Sequence, residues 1–248
     1  MANGAKPGRR SALVSGGVYG RGVSEQSADA WNEAAAAFDL PADHGLHSVE
    51  VRAAWTELLI RVLPASRSRI ADLGCGTGSL TLLAAELGHE VDGIDFSEQM
   101  LILARAKVAG RPRVTFSKGD AASPPLQPRH NDVVMCRHLL WALPDPAASL
   151  NTWTDLLRPG GRLVLIEGKW STGAGLAAEE TEVLLRASGH VAAIEHLTDP
   201  RYWGAQSRMI VTWQWPYARR EGHHRAHNTD RVAVPLTLPW PNRTTSPV

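Results

Sequence analysis

Between residues 67 and 216 the chain alternates short apolar runs with amphipathic stretches, and the changeovers fall on glycine, proline or capping residues. That rhythm predicts strands of a mostly parallel sheet separated by helices. Residues 70–73 read as a first strand, 79–87 as a helix ended by Gly88, and 90–94 as a second strand. Ser97 is placed to cap a helix that carries Met100, Leu101, Leu103 and Ala104 before Gly110. Further strands are expected over 114–116 and 132–136. Asp145 reads as the cap of a helix that starts at Pro146 and runs to Leu157, stopped by Pro159, Gly160 and Gly161. A helix over 176–188 and strands over 191–196 and 209–215 complete the series, with no internal repeat.

Upstream, the pattern predicts a helix over 28–38 with Ser27 as its N-cap. After Pro41-Ala42-Asp43-His44-Gly45 comes a second amphipathic helix, with Val51, Trp55, Leu58, Leu59 and Val62 spaced by three and four. Residues 1–23, rich in Gly, Ser and Arg without periodicity, are expected to form a disordered tail. Residues 217–248 read as a second tail, polar and proline-bearing. His223 and His227 in that tail are four apart, as helical metal ligands are, but no carboxylate or cysteine completes a set. No metal site is expected.

The chemistry concentrates in Ile70-Ala71-Asp72-Leu73-Gly74-Cys75-Gly76-Thr77-Gly78 and, about twenty residues on, Val91-Asp92-Gly93-Ile94-Asp95. A strand, a glycine turn opening a helix and a second strand ending in a carboxylate build a nucleoside-binding crevice. Asp95, at the strand end, is better placed than Asp92 to accept hydrogen bonds from both hydroxyls of a ribose. The spacing is Gly-x-Gly-x-Gly, not the Gly-x-Gly-x-x-Gly of dinucleotide sites. Asp72 just before it would repel a pyrophosphate and attract the ammonium of an amino acid.

This arrangement resembles the first motif of the class I S-adenosylmethionine-dependent methyltransferases. Lys118-Gly119-Asp120-Ala121 is similar to the family's segment after strand three, Asn131-Asp132-Val133-Val134-Met135-Cys136 to strand four, and the stretch from Leu156 to Leu165 to the helix, turn and strand that follow. The resemblance covers roughly residues 67–170. It implies an α/β, Rossmann-like, doubly wound sheet of seven strands, mostly parallel, with an antiparallel last strand. It also implies an N-terminal helical lid over 24–66 and a methyltransferase domain over 67–216. S-adenosylmethionine would be held by Asp72, Gly74, Cys75, Gly76, Gly78, Asp95, Phe96, Met100, Asp120, Ala121 and Arg137, the last through its backbone. Two thiols, Cys75 and Cys136, fall on neighbouring strands in the family's order and read as small apolar fillers of the crevice floor.

For an acceptor hydroxyl, a base has to remove a proton. His138, just past the fourth strand, is the leading candidate because imidazole titrates near working pH, with His44 as the second. Each has a plainer reading, His138 as a packed strand-end residue and His44 as a loop histidine. Trp31, Trp141, Trp170 and Trp203 are expected to shape an acceptor pocket, whereas Trp55 lies on the apolar stripe of its helix.

The net charge of +1 over 248 residues gives no electrostatic case for nucleic acid, and no apolar run approaches a membrane span. The basic N-terminus lacks the apolar stretch of a secretory signal, so a cytoplasmic protein, monomeric or homodimeric, is expected. The function expected is methyl transfer to oxygen or nitrogen of a small molecule. A non-catalytic cofactor-binding module and, with the spacing and Asp72 against it, a nicotinamide-dependent oxidoreductase are the alternatives.

Overall fold

Strands and helices alternate in the computed structural model, which describes residues 25–169, 174–203 and 209–213. After an N-terminal helix α1 (Glu25–Ala34) and a 3-10 turn (Ala35–Ala37) come a short helix α2 (Ala42–Gly45) and α3 (Val49–Val62). The series then runs β1 (Arg69–Leu73), α4 (Ser79–Glu86), β2 (Glu90–Asp95), α5 (Glu98–Lys107), β3 (Val114–Lys118), β4 (Asn131–Arg137), α6 (Pro146–Asp155), β5 (Leu157–Gly168), α7 (Ala178–Ala187), β6 (Ala193–Leu197) and β7 (Met209–Trp213).

The seven strands form one sheet in the order β3-β2-β1-β4-β5-β7-β6. β1 pairs parallel with β2 on one side, Ile70 opposite Val91, and with β4 on the other, Ile70 opposite Val133. β7 is antiparallel to β5 and slots between it and β6. The chain therefore reverses its direction of sheet growth between β1 and β4, and a crevice opens there at the carboxyl ends of the strands.

Both faces are covered, which is why the middles of the central strands are mostly apolar. Ile70, Val133, Met135, Val164 and Ile166 pack against Trp55, Leu58 and Leu59 of α3 and Leu80 and Leu83 of α4. Ala71, Leu73, Val134, Cys136, Leu163 and Leu165 pack against Leu150 and Trp153 of α6 and Leu185 of α7. Ser48, Ser97 and Asp145 cap α3, α5 and α6, each accepting from a backbone N–H three residues on.

Three expectations are corrected. The helix over 49–62 is part of the core and not of a cover, because Ala54, Trp55, Leu58 and Leu59 are fully buried against the sheet. Trp203 belongs there too. Its ring lies edge-on to Trp55 at 6.0 Å, and the Trp55 indole donates to the Tyr202 carbonyl at 3.2 Å. Pro159-Gly160-Gly161 does not end an element before a strand but lies within β5, where the register with β4 slips between Asn131 and Val133 and takes up the extra residues. The expected tails over 1–23 and 217–248, and Trp170, lie outside the described residues.

Candidate functional site

The glycine turn is built as its composition requires. Gly74, Gly76 and Gly78 have φ of +67°, +54° and +77°, where a side chain is strained, and Gly78 is the residue from which α4 departs. Gly74 and Cys75 donate their N–H groups to the Ile94 carbonyl, which fastens the turn to the end of β2. A Cβ on Gly76 would stand 3.2 Å from the Phe38 ring, so the aromatic lies directly over the turn.

Two buried carboxylates flank it. Asp72, at the end of β1, accepts from the Thr81 hydroxyl at 2.5 Å. Burial raises its pKa to about 6, against the opposing pull of that hydroxyl and of Arg137. Asp95 accepts from the backbone N–H groups of Gly76 and Ser97, both at 2.9 Å. Burial raises its pKa as well, and the backbone N–H groups of Ser97, Gly76 and Phe96 hold part of that rise back. A carboxylate offers about four lone-pair sites, so Asp95 keeps acceptor capacity toward a ribose hydroxyl. Asp92 points elsewhere and is bonded to the Thr115 hydroxyl.

The other residues expected around a nucleoside are distributed along the same edge. Met100 is buried on α5, Ala121 is buried after β3, and Phe96 and Asp120 are half-buried, Asp120 capping its own turn through the Ala122 N–H. Cys136 is buried and Cys75 half-buried, and burial pushes both thiols well above their ordinary pKa, so they stay protonated.

The N-terminal segment supplies residues that the sequence pattern did not mark. Asn32 accepts from the Ser97 hydroxyl at 2.7 Å and from the Gln99 N–H. Asp39 accepts from the Thr77 hydroxyl at 2.5 Å and pairs with Lys107 at 2.8 Å. Lys107 also donates to the hydroxyls of Thr77 and Ser79. Burial pushes Asp39 up, but the hydrogen bonds from Lys107 and Thr77 outweigh it and hold the carboxyl below its usual range. The available clue was the hydroxyl in the glycine turn, Thr77, which needs a partner once buried.

A row of rings leads from this segment to the end of β4. Trp31 meets Phe38 edge-on at 6.1 Å, Phe38 stacks on His44 at 4.6 Å, and His44 faces His138 at 6.2 Å. His138 has φ of +57°, uncommon for a residue with a side chain, and its N–H donates to the Ile166 carbonyl. Trp141 donates its indole N–H to the His138 carbonyl. The turn beyond is braced by Glu167, whose Oε1 accepts from the Leu139 and Leu140 N–H groups and the Cys136 thiol.

Arg137 contributes its side chain as well as its backbone. The guanidinium stands 5.0 Å from the centre of the Trp55 ring and donates to the Asp43 carbonyl. Burial and that cation push both histidines below their ordinary pKa, His138 well below, with His44 adding to the effect on His138. The expectation that His138 titrates near neutrality is corrected on that ground; its ring is neutral at working pH.

Residues 71–165 match the model of a methyltransferase-domain family. The chain is 37% identical over 106 residues to a demethylmenaquinone methyltransferase of Clavibacter sepedonicus, covering 43% of each chain. It is 32% identical over 152 residues to an uncharacterized methyltransferase of Mycobacterium bovis, covering 61% of this chain and 60% of that one. A trans-aconitate 2-methyltransferase of Streptomyces avermitilis is 37% identical over 131 residues, 50% of this chain and 48% of that one. The chain thus spans about half of the length of such curated relatives. Among solved structures, a methyltransferase from Aquifex aeolicus superposes with a TM-score of 0.59 at 18% identity, over 75% of this chain and 98% of that one. A [4+2]-cyclase does so with 0.66 at 21%, over 82% and 99%. The second shows that this fold also hosts other chemistry.

Proposed function

From a chain whose residues 71–165 carry a class I S-adenosylmethionine-dependent methyltransferase domain, we propose that the protein transfers a methyl group to oxygen or nitrogen of a small molecule. The observation that supports this reading most is the pair of buried carboxylates, Asp72 and Asp95, on either side of a turn of three positive-φ glycines. A carboxylate whose pKa burial has raised to about 6 gains most from a cation, and the cofactor's ammonium is one. Asp95 has lone pairs left for the ribose hydroxyls, and the uncharged glycine turn lets the ligand approach the backbone.

When bound, the cofactor supplies a methyl group activated by a sulfonium. The remaining work falls to the chain. The segment over 25–45, tied to the cradle through Asn32, Asp39 and Arg137, acts as a lid that excludes water and fixes the acceptor. Phe38, His44 and His138 line its inner side. With S-adenosylhomocysteine as the leaving group when its S–C bond breaks, an acceptor hydroxyl taking the methyl would become strongly acidic, so even the weakly basic neutral imidazole of His138 or His44 would take its proton.

The test is an acceptor screen that reads release of S-adenosylhomocysteine, run with parent and His138→Ala. Turnover lower in the variant by about 10²–10⁴-fold, with cofactor affinity little changed, is expected for a lost proton acceptor. Binding of S-adenosylmethionine without turnover on any acceptor class would instead make the protein a cofactor-binding module.

A further inference from the structure

We propose that Asp43, His44 and His138 together bind one divalent transition-metal ion, which joins the N-terminal segment to the end of β4. Their ligand atoms all lie within 4.8 Å of one another, although they come from α2 and from the residue just past β4, more than ninety positions apart in the chain. Two imidazoles and one carboxylate suit zinc, cobalt, nickel, manganese or ferrous iron, and not the all-oxygen shells that magnesium and calcium require.

Two further observations point to a ligand. His44 Nδ1 lies 3.1 Å from the Phe38 carbonyl, which only accepts, so that nitrogen carries the proton and Nε2 offers its lone pair. A ligating histidine whose second nitrogen donates to a backbone carbonyl is the usual outer arrangement of a metal site. Nε2 then stands 3.8 Å from Asp43 Oδ2. His138, for its part, is held in the left-handed region with φ of +57°, which a residue with a Cβ occupies at a cost and keeps when its ring is needed in one place.

An ion sits about 2.0–2.2 Å from such atoms, so rotation of the Asp43 and His138 side chains is what has to close the trio. Arg137 opposes a dication nearby, and the carboxylates of Asp39, Asp43 and Asp72, whose fields act on its guanidinium, offset that charge. Three protein ligands leave positions open on the ion. This deepens the methyl-transfer reading and rests on it for what the open positions take, an oxygen or nitrogen of the acceptor; with the ion bound, the lone pairs of His44 and His138 are spent on it, and holding and acidifying the acceptor at the ion replaces proton uptake by these imidazoles.

The experiment uses the full chain, stripped with a chelator and titrated with cobalt(II) at pH 8 while the visible d–d absorption and the heat of binding are recorded. One equivalent per chain is expected. Asp43→Asn and His44→Ala should each weaken binding by more than the roughly 10–100-fold that loss of an outer-shell partner costs. His223→Ala with His227→Ala should bind as the parent does. Parent affinity in Asp43→Asn and His44→Ala, or no binding by the parent, overturns the proposal. Asp43→Asn changes no volume on a half-buried side chain, so the test survives a histidine variant that fails to fold. S-adenosylhomocysteine is titrated into the same samples. A parent that binds it but no cobalt refutes the ion alone, and one that binds cobalt but not S-adenosylhomocysteine refutes the methyl-transfer reading alone.

Discussion

Replacing Glu167 by glutamine should make the protein more stable at alkaline pH and leave it unchanged in acid. Glu167 is 1% exposed, and burial raises its pKa to about 8 from an ordinary 4.5, with the N–H groups of Leu140 and Leu139 and the Cys136 thiol working the other way. Its Oε2 has no hydrogen-bond partner among the described residues. The folded protein therefore keeps this proton from pH 4.5 to about 8, while the unfolded chain gives it up. A raised pKa in the folded state means stability that is complete below the unfolded value and is lost as pH rises through the folded one. At about 1.4 kcal/mol per unit the loss reaches roughly 4–5 kcal/mol, an upper bound for a single buried group. Glutamine mimics the protonated acid, keeps the acceptor for Leu139 and Leu140, and does not titrate. Thermal unfolding of both proteins from pH 4.5 to 8.5 at constant ionic strength isolates the effect, because every other titrating group cancels in the difference. The two should coincide near pH 4.5 and diverge steadily, with Tm of the variant higher by roughly 2–4 °C per kcal/mol. A difference that does not change with pH, or a parent that is the more stable at pH 8, would show that Glu167 is ionised in the folded protein and refute the argument.

The other predictions concern the cofactor cradle. Asp95→Ala should weaken S-adenosylmethionine binding by about 1.5–3 kcal/mol in a calorimetric titration, the worth of hydrogen bonds to a charged group, and unaltered affinity would sink the ribose assignment. Gly76→Val should abolish binding, because valine at φ of +54° is strained and its side chain meets the Phe38 ring; a variant that binds normally would put the cofactor elsewhere. S-adenosylhomocysteine affinity should fall as pH drops through about 6, where Asp72 takes up the proton that excludes an ammonium partner, and Asp72→Asn should bind weakly at every pH. A parent profile that is flat from pH 5 to 8 contradicts that role.

The crevice was legible because its construction is local. A glycine turn after β1 and an acid at the end of β2 lie within one βαβ unit, and the apolar runs in β1 and β4, Val133 to Cys136 above all, announce a sheet covered on both faces. The groups brought from outside that unit were not. Nothing in the spacing of Asn32, Phe38, Asp39 or Asp43 ties them to residues forty to a hundred positions away, since their place depends on how α1 and α2 settle on the sheet. Trp55 and Trp203 make the same point from the other side. The stripe on α3 showed that Trp55 is buried, whereas Trp203 looked like a pocket residue because its partner lies on the opposite end of the chain. His138 was found by position, yet its neutrality at working pH follows first from its burial and then from Arg137 and His44, surroundings that only the fold supplies.

The bond from the Trp55 indole to the Tyr202 carbonyl spans 147 residues, and it has a consequence for synthesis on the ribosome. A chain emerging at about 5–20 residues per second leaves α3 waiting for roughly 7–30 s before its largest side chain can find that partner. Through that interval Trp55, Leu58 and Leu59 have the sheet only as fast as its strands arrive, β1 first and the paired β4 and β5 much later. Nascent chains that stop short of Trp203 leave the edge of Trp55 that faces Tyr202 and Trp203 uncovered, with its indole N–H unpaired, even after the sheet has formed beneath it.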